Sequence, residues 1–237
     1  MYLLIGLLGF AFVLSFWMGY RRMLRLQHLN RRIVINGFIS AMIILTLMTL
    51  AHWFGFFPQD IAAKFTMFLY CLVAGFFCGF AVKMIVLRQE VKETEYVYRS
   101  FWTEAAPNLI AILVIAFGIY RTGLFTFGPY TGIGITSGLS LLGFGFFGLT
   151  VKIVPEFRFK GILILDQFVP WSKIVSYEWE SEDTLQIDYY TSDEKLTDFL
   201  TYIPPEDRLL IEQLLGKKLK EHEQERKKAM AKEDEIS

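Results

Sequence analysis

Gly143, Gly145 and Gly148 reproduce the G-x-G-x-x-G spacing that lets a backbone close on a pyrophosphate. Asp166 follows about 20 residues later, where a ribose hydroxyl would want an acid. That chemistry needs a strand before the glycines and a helix opening after them. Here they lie inside an apolar stretch, where a pyrophosphate would have neither water nor counter-charge, so a dinucleotide site is rejected. The three histidines, His28, His52 and His222, are widely scattered. Cys71 and Cys78 lie about 10 Å apart along one helix at 1.5 Å per residue, too far for a disulfide. With no further cysteine they cannot build a thiolate zinc site. Glu90, Glu93, Glu95 and Glu104 share one polar loop and are read as solvated. No P-loop, H-E-x-x-H, G-x-S-x-G or C-x-x-C is present. The reading is of no enzyme, with no catalytic residue, cofactor or metal expected.

The elements that carry these residues explain the shortage. Of 237 residues, 54% are hydrophobic and 20% charged, and the apolar ones come in blocks. A membrane-crossing helix needs about 20 apolar residues. Five segments meet that need: 2–20, 33–57, 61–87, 108–127 and 132–154. After Pro155 charges become frequent and apolar residues alternate. The expectation is an all-α membrane bundle of five helices over 1–155, a β-rich domain over 156–222 and a charged tail over 223–237. The first segment has no basic residues before it and no small-residue cleavage site after it. It is read as an uncleaved anchor.

Lys and Arg distribution sets the orientation. Arg21, Arg22, Arg25, Arg31 and Arg32 follow the first segment, and Arg88, Lys92 and Arg99 follow the third. Loops 58–60 and 128–130 carry no base. The basic loops are therefore expected in the cytoplasm, with the N-terminus outside, the C-terminal domain inside, and the first five arginines on anionic headgroups of the inner membrane.

Lys64 and Lys83 are spaced to reach opposite interfaces from one helix. Arg121 is expected deeper, about 10 Å short of the outer interface. With Asn36 and Asn108 it would line a polar path if the chain were a small transporter or channel. Cys71, Gly75, Cys78 and Gly79 share one helix face, and Gly134, Gly138 and Gly145 mark another. Small residues at these spacings let helices approach closely in lipid, within one bundle or between copies in a homo-oligomer.

In the C-terminal part, 156–160 and 161–165 read as short strands and 166–170 as a turn. Val175, Tyr177 and Trp179 alternate with Ser176, Glu178 and Glu180, and Leu185, Ile187 and Tyr189 continue a buried face. A strand near 196–203 follows. Pro204, Pro205, Glu206 and Asp207 suit a helix start. Leu210, Ile211, Leu214, Leu215 and Leu219 then form an apolar stripe.

These short strands, the run Phe168-Val169-Pro170-Trp171-Ser172-Lys173-Ile174, a strand bearing Tyr177 and Trp179, and one closing helix resemble bacterial pleckstrin-homology-like (PH-like) domains. The resemblance covers about residues 156–222 and implies an interaction or scaffold module. The complete family barrel has seven strands; about five are legible here. Between 177 and 207 there are ten acids and one base, Lys195. That surface repels phosphate and excludes nucleic acid as a partner.

The chain's formal net charge of zero is a cancellation. Residues 1–155 hold 12 bases and 5 acids, and residues 156–237 hold 12 bases and 19 acids. The expected role is a non-enzymatic membrane accessory, scaffold or regulatory protein whose acidic domain contacts a protein partner or the basic loop at 21–32.

Overall fold

The computed structural model describes residues 2–22, 31–56, 58–125, 130–191 and 195–223. Arg25, His28 and the expected tail beyond Glu223 lie outside them. The chain divides into two compact units. One comprises Met1–Leu87 and Glu104–Val151, the other Arg88–Thr103 and Lys152–Ser237.

The first unit is helical. It holds α1 (Tyr2–Tyr20), α2 (Arg31–Trp53), all but the last turn of α3 (Gln59–Glu90), α4 (Ala106–Thr122) and α5 (Gly132–Thr150). Among the described residues, four helices are long and apolar enough to cross a membrane: Tyr2–Tyr20, Gln59–Glu90, Phe101–Thr122 and Gly132–Thr150. The second expected segment, 33–57, ends earlier, as α2 at Trp53. The fourth, 108–127, ends at Thr122 because Gly123 takes φ +79° and stops the helix with a left-handed cap. A five-residue π-helix, Phe101–Ala105, leads into α4.

Small residues hold these helices together. Gly75 and Gly79 of α3 lie against the carbonyls of Phe12 and Phe16 of α1, and Gly19 of α1 lies against that of Phe76. A Cβ at any of the three would overlap an oxygen. Ser15 of α1 donates to the Leu72 carbonyl of α3. On α5, Gly138 and Gly145 face the carbonyls of Gly118 and Ala111 of α4. Gly143 faces the Ala74 carbonyl of α3. Thr136, Ser137 and Ser140 return their hydroxyls to carbonyls one turn back, as a polar group in hydrocarbon must.

Among its described residues the second unit has seven strands, not the expected five or so. Antiparallel β1 (Thr94–Val97), β2 (Glu156–Arg158), β3 (Gly161–Ile164) and β4 (Gln167–Pro170) form one sheet in that order. Antiparallel β5 (Ile174–Trp179), β6 (Thr184–Tyr190) and β7 (Leu196–Tyr202) form a second. The last element among the described residues is α6 (Arg208–Glu221). Two strands account for the difference. The stretch expected to be a turn, 166–170, contains β4; Pro170 ends it on the sheet edge, where a missing N–H is harmless. The loop expected to be solvated, 88–107, contains β1, which pairs with β2 across the whole α4–α5 hairpin. The unit therefore begins at Arg88 as well as resuming at Lys152, instead of starting at 156.

Its core joins both sheets to the helix. Phe157, Ile162, Val169, Trp171, Ile174, Leu185, Ile187, Tyr189, Ile203, Ile211 and Leu215 form one buried cluster. Trp171 is fully buried. Its indole N–H is shared between the carbonyls of Arg158 at 3.1 Å and Phe159 at 3.0 Å, satisfying a donor that burial would otherwise penalise. A bulge at Val175 resets the face alternation in β5. The α6 stripe departs from expectation at one position: Ile211 and Leu215 are buried and Leu214 and Leu219 pack against the same core, whereas Leu210 is 50% exposed, and Lys218 takes a further inward position at 4% exposure.

Candidate functional site

The densest charge cluster of the second unit lies where α3 ends beside β2 and β3. Glu156 and Arg158 are two residues apart on one strand, so both side chains leave the same face while Phe157 enters the core. Arg158 Nε donates to Glu156 Oε2 at 2.8 Å. Arg88 Nη2 lies 3.0 Å from Glu156 Oε1. That contact is an ion pair without hydrogen-bond alignment, because Arg88 Nε and Nη2 are both buried without an aligned acceptor. Two guanidinium groups thus share one carboxylate that is 3% exposed.

Arg158 does a second job. Its Nη1 donates to the carbonyls of Arg88 at 3.0 Å and Lys92 at 2.7 Å. The last carbonyls of a helix have no partner within the helix, and here the sheet supplies one. Lys92 takes φ +67°, a left-handed conformation that costs a non-glycine residue about 1–2 kcal/mol. The Arg158 hydrogen bond helps hold it there.

A third arm comes from α6. Glu95 is the extra residue of a bulge in β1, and bulges re-aim side chains. It meets Lys218 at 2.7 Å. The Lys218 ammonium also sits 4.3 Å from the centre of the Phe159 ring, with that of Lys92 5.3 Å from the same ring. Lys160 donates to the Glu90 carbonyl at 2.8 Å. Arg88, Gln89, Lys92, Glu93, Thr94, Glu95 and Phe159 line a cleft of about 620 Å³. Among the described residues, no group of three or more His, Cys, Asp or Glu could hold a metal ion.

Further along β1, Tyr96 donates to Asp207 at 2.8 Å. Burial foremost, and then this bond to a carboxylate, push its phenol well above the usual tyrosine range. On the outward face of the second sheet, Ser176 and Gln186 donate to Asp188 at 2.7 and 3.0 Å. These bonds hold its carboxyl below the usual range.

The residues singled out from the sequence fall elsewhere. Gly75 and Gly79 face α1; Gly134, Gly138 and Gly145 face α4; Gly143 faces α3 beside Cys78. Cys71 is buried on α3. The apparent dinucleotide motif is thus a set of helix contacts. Arg121 is exposed in the last turn of α4, just before Gly123 stops the helix. Asn108 lies in the first turn of the same helix, so these two do not converge. Arg21 is exposed, 5.2 Å from the Trp17 ring; Arg22 takes φ +50°; Arg32 is exposed.

Sequence reasoning missed Glu156, Arg158 and Lys218. The sequence marks 156–160 only as a short strand, with nothing in the Glu-Phe-Arg alternation to show what covers its charged face. Lys218 follows Ile211 and Leu215 at seven and three residues, so helical spacing alone placed it inward.

Residues 153–220 match a family described as "Domain of unknown function (DUF5673)". No curated protein and no solved structure matches the chain.

Proposed function

We propose that the chain is a five-span protein of the bacterial inner membrane that works without catalysis, as an accessory, scaffold or regulatory subunit. Its N-terminus lies outside, and a PH-like β unit in the cytoplasm presents an acidic surface to a protein partner. The 23 residues of α2 would extend about 35 Å, which supports a fifth crossing. Pairing of β1 with β2 across α4 and α5 supports an even number of crossings between them. Among the described residues, seven strands in sheets of four and three followed by one helix support the PH-like reading more fully than the five legible in the sequence.

The observation that carries the interaction role is the outward face of the three-stranded sheet. Ser176, Asp188 and Asp198 form one row across it, and Glu178, Gln186 and Leu200 the next. Leu196, Leu200 and Tyr202 on the outermost strand are 61%, 53% and 47% exposed. Carboxylates interleaved with exposed apolar side chains fit a partner segment that is both basic and apolar. Capture of the intact protein in mild detergent, with and without Asp198→Lys and Leu200→Asp, tests the reading. A partner retained by the native chain and lost from the double variant is expected. A hydrolase or transferase activity abolished by one polar substitution would overturn it.

A further inference from the structure

We infer that the open edge of β7 takes up an extended segment of a partner protein as an antiparallel fourth strand, with a Lys or Arg of that segment set against Asp198. This names the partner's form and rests on the partner role proposed for the outward face of the same sheet.

The backbone fixes which groups the edge offers. Among the described residues β7 pairs with β6 alone and ends its sheet. Antiparallel pairs alternate between those that exchange both backbone bonds and those that exchange none. Ile203 donates its N–H to the Asp183 carbonyl at 2.8 Å, and Thr191 donates to the Lys195 carbonyl at 2.9 Å. Those bonds, at the two ends of the ladder, are in step with the pairs Leu185–Thr201, Ile187–Phe199 and Tyr189–Thr197. The bonds to β6 therefore run through Thr197, Phe199 and Thr201. Leu196, Asp198, Leu200 and Tyr202 turn their N–H and C=O groups the other way, to the open edge. The Tyr98 ring lies 5.4 Å from that of Tyr202 and bounds the edge at that end.

The side chains select what can add. The same four residues stand exposed on the outward face. A long apolar edge invites pairing with any strand, and a charge on it restricts the choice. Here Asp198 lies between Leu196 and Leu200. Asp188 is beside it in the same row, and Glu178 and Glu180 stand farther along the face. Lys195 sits at the turn before Leu196, and the Lys173 ammonium is taken up by the Thr191 carbonyl at 3.2 Å. A strand that presents apolar, basic and apolar side chains at alternate positions meets Leu196, Asp198 and Leu200 in turn. Main-chain bonds then supply affinity and the base supplies specificity. A second copy fits poorly. Two β7 edges paired about a two-fold at or next to Asp198 would set two carboxylates opposite, or one same-face position apart.

The test uses the full chain in mild detergent and the labelled peptide Thr-Ile-Thr-Lys-Thr-Ile-Thr, followed by fluorescence anisotropy. The peptide should bind about tenfold more tightly than its analogue with Glu in place of Lys. Asp198→Lys changes an exposed side chain, so it should reverse that order and keep the unfolding temperature. Methylating the amide nitrogens of the Ile and Lys residues, which would face β7, should weaken binding about tenfold. Methylating those of the Thr residues, which would face away, should leave it unchanged. Equal effects of the two methylations would overturn the added strand. If Asp198→Lys still reversed the charge preference, the partner role of the face would stand without it. No binding by the native chain, equal binding of the Lys and Glu peptides, or a dimer of the chain that excludes the peptide would also overturn the proposal.

Discussion

Lys218 of α6 and Glu95 of β1 meet at 2.7 Å, with the lysine side chain 5% exposed and the glutamate 26%. The pair ties α6, the last helix among the described residues, to a strand made before α4 and α5. Its two halves are not equivalent. Glu95→Gln leaves a buried ammonium without its carboxylate and should cost about 3 kcal/mol. Lys218→Met keeps the stem's contacts and leaves a carboxylate that water can reach, so it should cost less than about 1 kcal/mol. Denaturant unfolding in mild detergent, followed by tryptophan fluorescence, measures both. Equal losses would contradict the asymmetry.

Glu156 carries more. Replacing it with Gln leaves two guanidinium groups facing each other behind β2, which should destabilise the second unit by about 3–5 kcal/mol. Arg158→Met should also release the carbonyls of Arg88 and Lys92. Amide exchange of the last turn of α3 should then rise with little change in α5.

The glycines of α3 allow a paired comparison. A Cβ at Gly79 meets the backbone of Phe16, whereas one at Gly6 meets nothing within 4 Å. Gly79→Ala should lower stability in mixed micelles by about 1–3 kcal/mol, and Gly6→Ala should be neutral or slightly stabilising. Similar unfolding curves for both would mean that the α1–α3 contact does not bear on stability.

Tyr96 and Asp188 bear on opposite ends of the pH range. The Tyr96 phenol is held above its usual range, so its stabilisation is complete below about pH 10. It is lost as pH rises further, because the unfolded chain gives up that proton first. Tyr96→Phe should flatten this alkaline limb. Asp188 is held below its usual range, so its contribution is present above about pH 4 and is lost as pH falls further. Asp188→Asn should remove that part of the acid limb. Thermal unfolding across both ranges checks each.

What was legible in the sequence was local. The apolar blocks, the alternation through Leu185, Ile187 and Tyr189, and the helix after Pro205 are each written within a few residues of the element they form. What was not legible depends on partners far along the chain. β1 has four residues and two acids beside it, and its partner strand begins about 60 residues later. What covers the Glu156–Arg158 face is not legible until residues 88–92 are known to lie against it. The end of α4 was not legible either, because the apolar composition continues past Gly123 although the helix does not.

The split origin of the first sheet has a consequence for biosynthesis. β1 leaves the ribosome before α4 and α5, and β2 after them. At about 5–20 residues per second, the intervening stretch of roughly 58 residues takes about 3–12 s to make. Through that interval β1 has no β2 to pair with. If α4 and α5 both cross a bilayer, as proposed, a hairpin left half-threaded would hold β1 and β2 on opposite sides, and the first sheet could form only once both crossings are complete.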